Sequence, residues 1–437
     1  MRISVFGCGY LGAVHAACMA SLGHEVVGVD VIEEQVASLA AGRPPFHEPG
    51  LEQLLVDALA TGRLEFTTDP SRAAGARVHF ICVGTPQKRN ENAADLSYLR
   101  SAVDSILPLL TPGDVVVGKS TVPVGTAEVV AERIEEREPG AELLWNPEFL
   151  REGHAVEDTL HPDRLVYGVR PGAGGQRAAR VLDEVYVATL ADGTPKIETD
   201  LATAQLVKVA ANSFLATKIS FINAMAEVCE QAGADVIPLA EALGYDARIG
   251  RRFLSPGLGY GGGCLPKDIR GFRATAADLG VSSLESLLAT VDEINLGRRE
   301  RVVALARQAA GGSLTGRRVA VLGVAFKPDS DDVRDSPSLA VCDRLTAEGA
   351  VVSVHDPVAM PGAARKRPRL RCAPSVFEAA EGADLVLHLT EWSDYRAIDP
   401  AALAAVVTRR VIIDARCCLD AALWADAGWT VHVLGRP

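Results

Sequence analysis

The amino-acid sequence predicts an α/β protein in which two doubly wound parallel sheets are joined by a helical middle segment with one long central helix. Three observations carry this. Short β-branched runs alternate with amphipathic stretches near the N-terminus, a segment without glycine or proline runs from Thr199 to Ala232, and the alternation resumes at Arg317. Such alternation is the pattern of a parallel sheet covered on both faces. At 437 residues the chain is too long for one ordinary core, and the changes of texture place domains at 1–198, 199–310 and 311–437.

In chain order, residues 3–6, 25–29, 78–83, 114–118 and 143–145 read as buried strands, with 164–168 as a late strand of the same sheet. Residues 11–22 and 96–110 read as amphipathic helices between them. The stretch 199–232 is rich in alanine and leucine and predicts a helix of about eight or nine turns, against an average of about three. Such a length reads as a spine that links domains or builds a dimer interface. Helices follow at 237–243, 269–279 and 283–309. Beyond Arg317, residues 319–322, 351–355, 385–389 and 411–414 are again strands, here without a glycine fingerprint. The basic run 365–371 reads as a solvated loop.

Composition narrows the function. Hydrophobic residues make up 48% of the chain and charged residues 23%, an ordinary globular balance. No apolar run approaches the roughly 20 residues of a membrane span. The N-terminal apolar stretch runs directly into glycines, so it reads as a first strand rather than a secretion signal. A net charge of −12 argues against sequence-independent nucleic acid binding, while local arginines and helix ends still allow a small anionic ligand. The nine cysteines form no CxxC pair and no cysteine–histidine cluster at zinc spacing. No metal is therefore expected, and reduced thiols in a cytoplasmic protein are.

Residues 7–12, GCGYLG, match the dinucleotide fingerprint G-x-G-x-x-G letter for letter. The motif follows a strand, opens a helix and precedes a second strand that ends at Asp30, the βαβ context the fingerprint requires. Gly7 makes the tight turn, Gly9 lets the backbone approach a pyrophosphate, and Gly12 lets helix and strand pack closely. The helix start offers N–H groups and partial positive charge to phosphates. Asp30 is placed to accept hydrogen bonds from the adenosine ribose and would repel a 2′-phosphate, which selects NAD over NADP. The first domain is therefore expected to be an NAD-binding Rossmann domain and the last a Rossmann-like one.

The stretch GLGYGGGCLPKD, residues 257–268, has glycine at 257, 259, 261, 262 and 263 and ends in Cys264, Lys267 and Asp268. That glycine content reads as backbone wrapping a ligand rather than packing a core. A nearby lysine favours the thiolate, the nucleophilic form. A cysteine taken singly is ordinarily a small buried hydrophobe, and that reading is kept for Cys8, Cys18, Cys82, Cys229 and Cys342; the loop context singles out Cys264. On the long helix, Lys208 and Asn212 lie four residues apart among alanine, valine and leucine, and so share a face. Two readings are open for them: a snorkelling lysine with a surface asparagine, or a desolvated lysine that stabilises an alkoxide.

With these motifs the chain resembles the UDP-glucose/GDP-mannose dehydrogenase family over essentially its whole length. The likeness rests on GCGYLG, VGTPQ (83–87), ADLSYL (94–99), KSTVPVGT (119–126), NPEFLREG (146–153), LVKVAANSFLATKISFIN (206–223), GYGGGCLPKD (259–268), GVAFKPDSDDVRDSP (323–337), HDPVAM (355–360) and TEWSDYR (390–396). Parts of the 206–223 and 355–360 stretches look most like the UDP-glucose branch. The resemblance implies a metal-free, four-electron oxidation of the C6 alcohol of a nucleotide sugar, UDP-glucose to UDP-glucuronate in that branch, using two NAD. It implies that Cys264 attacks the aldehyde left by the first oxidation, and that the thiohemiacetal becomes a thioester, which water hydrolyses. Lys208, Asn212 and Asp268 would surround the reacting oxygen and water, Glu148 would act as acid–base, and Thr121 would hold the water. NAD contacts are implied for Tyr10, Leu11, Thr85, Glu152, Lys267 and Arg334 beside Gly7, Gly9, Gly12 and Asp30. Nucleotide-sugar contacts are implied for Phe149, Leu150, Lys208, Phe253, Leu254, Tyr260, Gly261, Lys327 and Arg416, with Arg248 supplied across a homodimer built on the long helix.

Two positions depart from the family pattern. Gln35 stands where a basic residue often caps the adenosine pocket, and DARCCLD (414–420) puts Cys417 and Cys418 where an arginine–asparagine sequence is usual. Other functions stay open. One is the same chemistry on TDP-glucose, a UDP-N-acetylhexosamine or GDP-mannose. Another is a two-electron β-hydroxyacid dehydrogenase, which needs no cysteine loop. The third is a non-catalytic NAD- or sugar-nucleotide-binding regulator, against which the set Cys264, Lys208, Asn212 and Asp268 argues.

Overall fold

Valine- and isoleucine-rich runs, buried on both faces, form the sheets of this protein, as parallel strands under helices require. A computed structural model describes all 437 residues and divides into two units, Met1–Ala211 and Asn212–Pro437. The first holds an eight-stranded sheet: β1 (Arg2–Phe6), β2 (Glu25–Val29), β3 (Leu64–Thr67), β4 (Val78–Ile81), β5 (Val115–Gly118), β6 (Glu142–Trp145), β7 (Leu165–Val169) and β8 (Lys196–Thr199), in the order β3-β2-β1-β4-β5-β6-β7-β8. The strand order reverses between β1 and β4, the point at which doubly wound sheets bind ligands.

The second unit holds six parallel strands: β9 (Arg318–Leu322), β10 (Val351–His355), β11 (Arg371–Cys372), β12 (Leu385–His388), β13 (Val411–Asp414) and β14 (Thr430–Val433). Their order is β11-β10-β9-β12-β13-β14, with the reversal between β9 and β12. Two doubly wound sheets and a helical middle were the expected architecture, and both are present. The long helix spans Leu201–Ala232, about 48 Å at 1.5 Å per residue, and the division between the units falls within it. No helix is long and apolar enough to cross a membrane.

Three expectations need correction. The first sheet is not wholly parallel, because β7 runs antiparallel to β6 and β8 runs with β7. Only the short helix Ala155–Leu160 lies between β6 and β7, too little to form a full crossover. The basic run 365–371 is a mostly exposed loop only at 367–370. It ends the helix Met360–Lys366 and enters β11; Lys366 Nζ donates to the Val333 carbonyl at 2.9 Å, and the Arg367 guanidinium forks onto Asp343 at 2.6–3.0 Å.

The glycine loop is the third. Residues 256–262 are buried, Gly259 and Gly262 have φ of +89° and +86°, and a Cβ at Gly259 would overlap Asn295 Oδ1. Here glycine serves a tightly packed turn.

Candidate active site

In the first unit the fingerprint forms the turn between β1 and the helix Tyr10–Ser21. Gly7 has φ of +87°, and a Cβ on Gly12 would collide with the Gly7 carbonyl. Gly9 is different: its φ of −64° suits any residue, and an added Cβ would meet no protein atom within 4 Å. Gly9 is the N-cap, and no side chain caps the helix. A helix start left open in this way suits a pyrophosphate, so these residues fit a dinucleotide.

Asp30 follows β2. Its Oδ2 accepts from Cys8 N at 2.7 Å and its Oδ1 from Ile32 N at 3.0 Å, which ties the expected ribose-binding residue to the turn. Gln35 reaches the same turn and donates to the Cys8 carbonyl. Leu11 packs against the core. Tyr10 bonds through its hydroxyl to Glu48, whose carboxylate also accepts from Gly153 N and Ala155 N at 2.7 Å each. Burial and the Glu48 carboxylate push the Tyr10 phenol up. Glu48 is 5% exposed and sequence reasoning missed it; its two backbone partners lie more than a hundred residues away.

The Thr85 hydroxyl donates to the Thr121 carbonyl at 2.6 Å, so these two expected site residues are joined. Thr121 follows Lys119, which is buried; its Nζ lies 2.8 Å from Asn146 Oδ1 and 3.2 Å from the Tyr186 hydroxyl. Burial pulls the Lys119 ammonium down to about 8. Asn146 opens the NPEFLREG segment and also donates to the Val166 carbonyl at 2.9 Å. Two residues on, Glu148 accepts from Leu150 N at 2.6 Å and pairs with Lys208 Nζ at 3.0 Å. Lys208 is 5% exposed, which excludes the snorkelling reading. Its ammonium lies 5.7 Å from the Phe149 ring, on which Arg164 stacks at 3.7 Å. Glu152 is partly buried in the same segment.

In the second unit Cys264 is the N-cap of the helix Leu265–Asp278, a position that favours thiolate. It is the one exposed cysteine of the chain; Cys8, Cys18, Cys82, Cys229 and Cys342 are buried, as expected for small apolar residues. One turn into the helix, Asp268 is buried and accepts from Asn212 Nδ2 at 2.6 Å and from Lys267 Nζ at 2.6 Å. The Lys267 charge is thus engaged by a carboxylate. Asn212 is 8% exposed, so it is no surface asparagine.

The loop before Cys264 is held by residues the sequence did not single out. Asn295 accepts from Tyr260 N at 2.8 Å and donates to Tyr260 O at 3.1 Å; Asn223 Oδ1 accepts from Gly257 N at 2.8 Å; and the fully buried Arg298 donates to Gly257 O at 3.1 Å. Asn223 closes the 206–223 motif, which was the one available signal. Tyr260 and Leu254 are buried, and Phe253 is exposed with φ of +64°. Gly261 packs under Asp335 O and Pro337. Arg334 lies against Gly263 and pairs with Asp332 at 2.8 Å. Lys327 is partly buried and stands 5.6 Å over the Phe326 ring. Arg416 donates to the carbonyls of Leu389, Gly259 and Phe326 at 2.6, 3.1 and 3.2 Å. Arg248 is exposed and pairs with Asp246 at 2.6 Å.

Comparison with known proteins agrees with this geometry. The chain matches the UDP-glucose/GDP-mannose dehydrogenase family in three segments: its NAD binding domain at residues 1–190, its central domain at 202–296 and its UDP binding domain at 320–421. It is 42% identical to a UDP-glucose 6-dehydrogenase of Rhizobium meliloti (strain 1021) over 100% of both chains. Among solved structures it is similar to a UDP-glucose dehydrogenase from Pyrobaculum islandicum, with 38% identity, a TM-score of 0.89 and coverage of 100% of this chain and 98% of that one. A UDP-D-ManNAc dehydrogenase from Pyrococcus horikoshii is 27% identical with a TM-score of 0.87, covering 100% and 99%. The open helix start at Gly9, the buried lysine–carboxylate and asparagine–carboxylate arrays and these full-length matches agree: the chain belongs to the UDP-glucose/GDP-mannose dehydrogenase family and is an NAD-dependent nucleotide-sugar oxidoreductase.

Proposed function

We propose that this enzyme oxidises the C6 alcohol of UDP-glucose to the carboxylate of UDP-glucuronate through a covalent intermediate on Cys264. The observation that carries the reading is the exposed Cys264 at the start of a helix whose Asp268, one turn on, is tied to Asn212 and Lys267. Gly7, Gly9, Tyr10, Leu11, Gly12 and Asp30, with Thr85, Glu152, Lys267 and Arg334 beside them, would hold NAD, which when bound would supply the hydride acceptor for both oxidations.

After the first oxidation the Cys264 sulfur adds to the aldehyde carbon, and the resulting oxyanion is stabilised by the Lys208 ammonium and the Asn212 amide. After the second, a thioester remains. A water held by Thr121 adds to its acyl carbon, the C–S bond breaks, and the thiolate leaves. Glu148 and Asp268 take the protons released, and the 3.0 Å pairing of Glu148 with Lys208 offers a direct path between them. Phe149, Leu150, Phe253, Leu254, Tyr260, Gly261, Lys327 and Arg416 receive the nucleotide sugar, with Arg248 from a second subunit. In support of a homodimer along the long helix, Phe214, Phe221 and Val228 are exposed on it at seven-residue spacing. The same reading keeps three domains at 1–198, 199–310 and 311–437 and a cytoplasmic setting, where thiols stay reduced.

The 0.87 TM-score to a UDP-D-ManNAc dehydrogenase means that the fold does not choose the sugar. NADH counted per sugar across UDP-glucose, TDP-glucose, GDP-mannose and UDP-N-acetylhexosamines is the test. Two NADH per UDP-glucose, with the other sugars turned over far more slowly, is the expected result; one NADH per sugar overturns the double oxidation. Cys264→Ser should lower kcat by at least about a thousandfold, and full turnover in that variant would mean a simple two-electron dehydrogenase.

A further inference from the structure

The departure DARCCLD at 414–420 acquires a setting in the second sheet. His388 ends β12 and Asp414 ends β13, and the two are register partners on neighbouring parallel strands, both fully buried. His388 Nδ1 lies 2.9 Å from Asp414 Oδ1. Cys418 follows in the turn after β13, and ligand atoms of all three residues lie within 4.8 Å of one another. The other ring nitrogen of His388, Nε2, is buried without a hydrogen-bond partner. The edge of the Tyr395–His388 stack, with centroids 5.8 Å apart, packs the imidazole in place.

We propose that His388, Asp414 and Cys418 form a binding site for a borderline-soft divalent cation of the Zn²⁺ type. An imidazole, a carboxylate and a thiolate are the ligand types zinc combines, and tetrahedral bonds of that kind set ligand atoms roughly 3.3–3.8 Å apart. To reach that spacing the His388–Asp414 pair, now at 2.9 Å, opens by roughly 0.4 Å and the Cys418 sulfur closes on both from within 4.8 Å. Binding replaces the His388–Asp414 hydrogen bond with two metal bonds, moves the imidazole proton to the buried Nε2 at the cost of an unpartnered N–H there, and releases the Cys418 thiol proton to solvent. A bare thiolate there is disfavoured by burial and by the Asp414 charge, with Arg396 the opposing cation; a divalent ion reverses both costs. The fourth position is left to water.

The consequence falls on the turn itself. Asp414 already gathers it, accepting from the backbone N–H groups of Arg416 at 3.0 Å and of Cys418 and Leu419 at 2.8 Å. A cation bridging Asp414 and Cys418 clamps the segment that carries Arg416. The spacing along the chain concealed this site, because its ligands come from two strands and a turn rather than from one motif.

Titration of the full-length protein with Co²⁺, a spectroscopic stand-in for Zn²⁺, tests the site without any reliance on turnover. One ion per chain is expected, with visible bands of a tetrahedral centre and a near-ultraviolet thiolate-to-cobalt band, displaced by Zn²⁺. Cys418→Asn should abolish the thiolate band, Cys264→Ser should leave it intact, and His388→Gln should weaken binding by 10- to 100-fold. Absence of a thiolate band in the unaltered protein overturns the proposal, as does a band that survives Cys418→Asn or vanishes with Cys264→Ser. Should either site variant misfold by circular dichroism, the other decides.

Discussion

The glycine turn at Gly7–Gly12 and the glycine loop at Gly257–Gly263 use one residue type for opposite purposes. At Gly9 the backbone is one any residue adopts, and no protein atom stands where a side chain would go. Nothing in the fold needs glycine there; a close ligand would. At Gly259 the φ of +89° excludes most residues, and Asn295 fills the place of a side chain while holding both backbone groups of Tyr260. The cofactor end is built open and the loop leading to the thiol is built stiff. A rigid loop has a clear use, since a nucleophile held within a fraction of an ångström loses less entropy on attack.

The largest expected effect tests the stiff side. Gly259→Ala forces a non-glycine residue into the left-handed region, at about 1–3 kcal/mol, and crowds Asn295, at about 1–3 kcal/mol. Urea unfolding should show a loss of roughly 2–6 kcal/mol with an unchanged slope. A loss under about 0.5 kcal/mol would mean that the loop is pliant after all.

Gly9→Ala tests the open side. Stability should stay within about 0.5 kcal/mol of the parent, while calorimetry should show NAD binding at least about tenfold weaker, or about 1.4 kcal/mol. Equal NAD affinity in the variant would erase the distinction between the two segments.

Much of this architecture is legible without coordinates, and the limits are physical. The central strands are mainly runs of buried β-branched or apolar residues, such as Val115–Gly118 or Leu385–His388. The strands that escaped notice are β3, β8, β11 and β14, the edge strands of the two sheets. An edge strand such as Lys196–Thr199 is largely exposed, so no apolar run marks it. Of the site, the fingerprint, Cys264 and the Lys208–Asn212 pair stand out as motifs. Whether that pair is buried depends on Glu148 and Asp268, 60 and 56 residues from Lys208 and Asn212 respectively. Glu48, Asn295 and Arg298 carry no local signal, because each acts on backbone groups distant in sequence. Glycine content alone could not separate the open turn from the packed loop.

Two lysines, one in each unit, are also held differently, and the smallest effect probes that. Lys267 pairs with the Asp268 carboxylate, whereas the hydrogen-bond partners of buried Lys119 are the neutral Asn146 and Tyr186. Burial lowers the Lys119 pKa from 10.5 to about 8, which corresponds to roughly 3 kcal/mol between its two protonation states. The unfolded chain therefore holds more protons between about pH 8 and 10.5, so the Lys119 contribution raises stability with pH across that window. Below about pH 8 the burial penalty is complete. Lys119→Met removes the penalty together with two hydrogen bonds of about 1 kcal/mol each, leaving a net gain of about 1 kcal/mol near pH 7. As pH rises toward 10 that gain should shrink and change sign, because neutral lysine keeps its bonds without the cost. Paired unfolding curves of parent and variant at pH 7, 8.5 and 10 measure the difference directly. A difference that does not vary with pH would show that Lys119 stays charged throughout, stabilised by something other than the two neutral groups it touches.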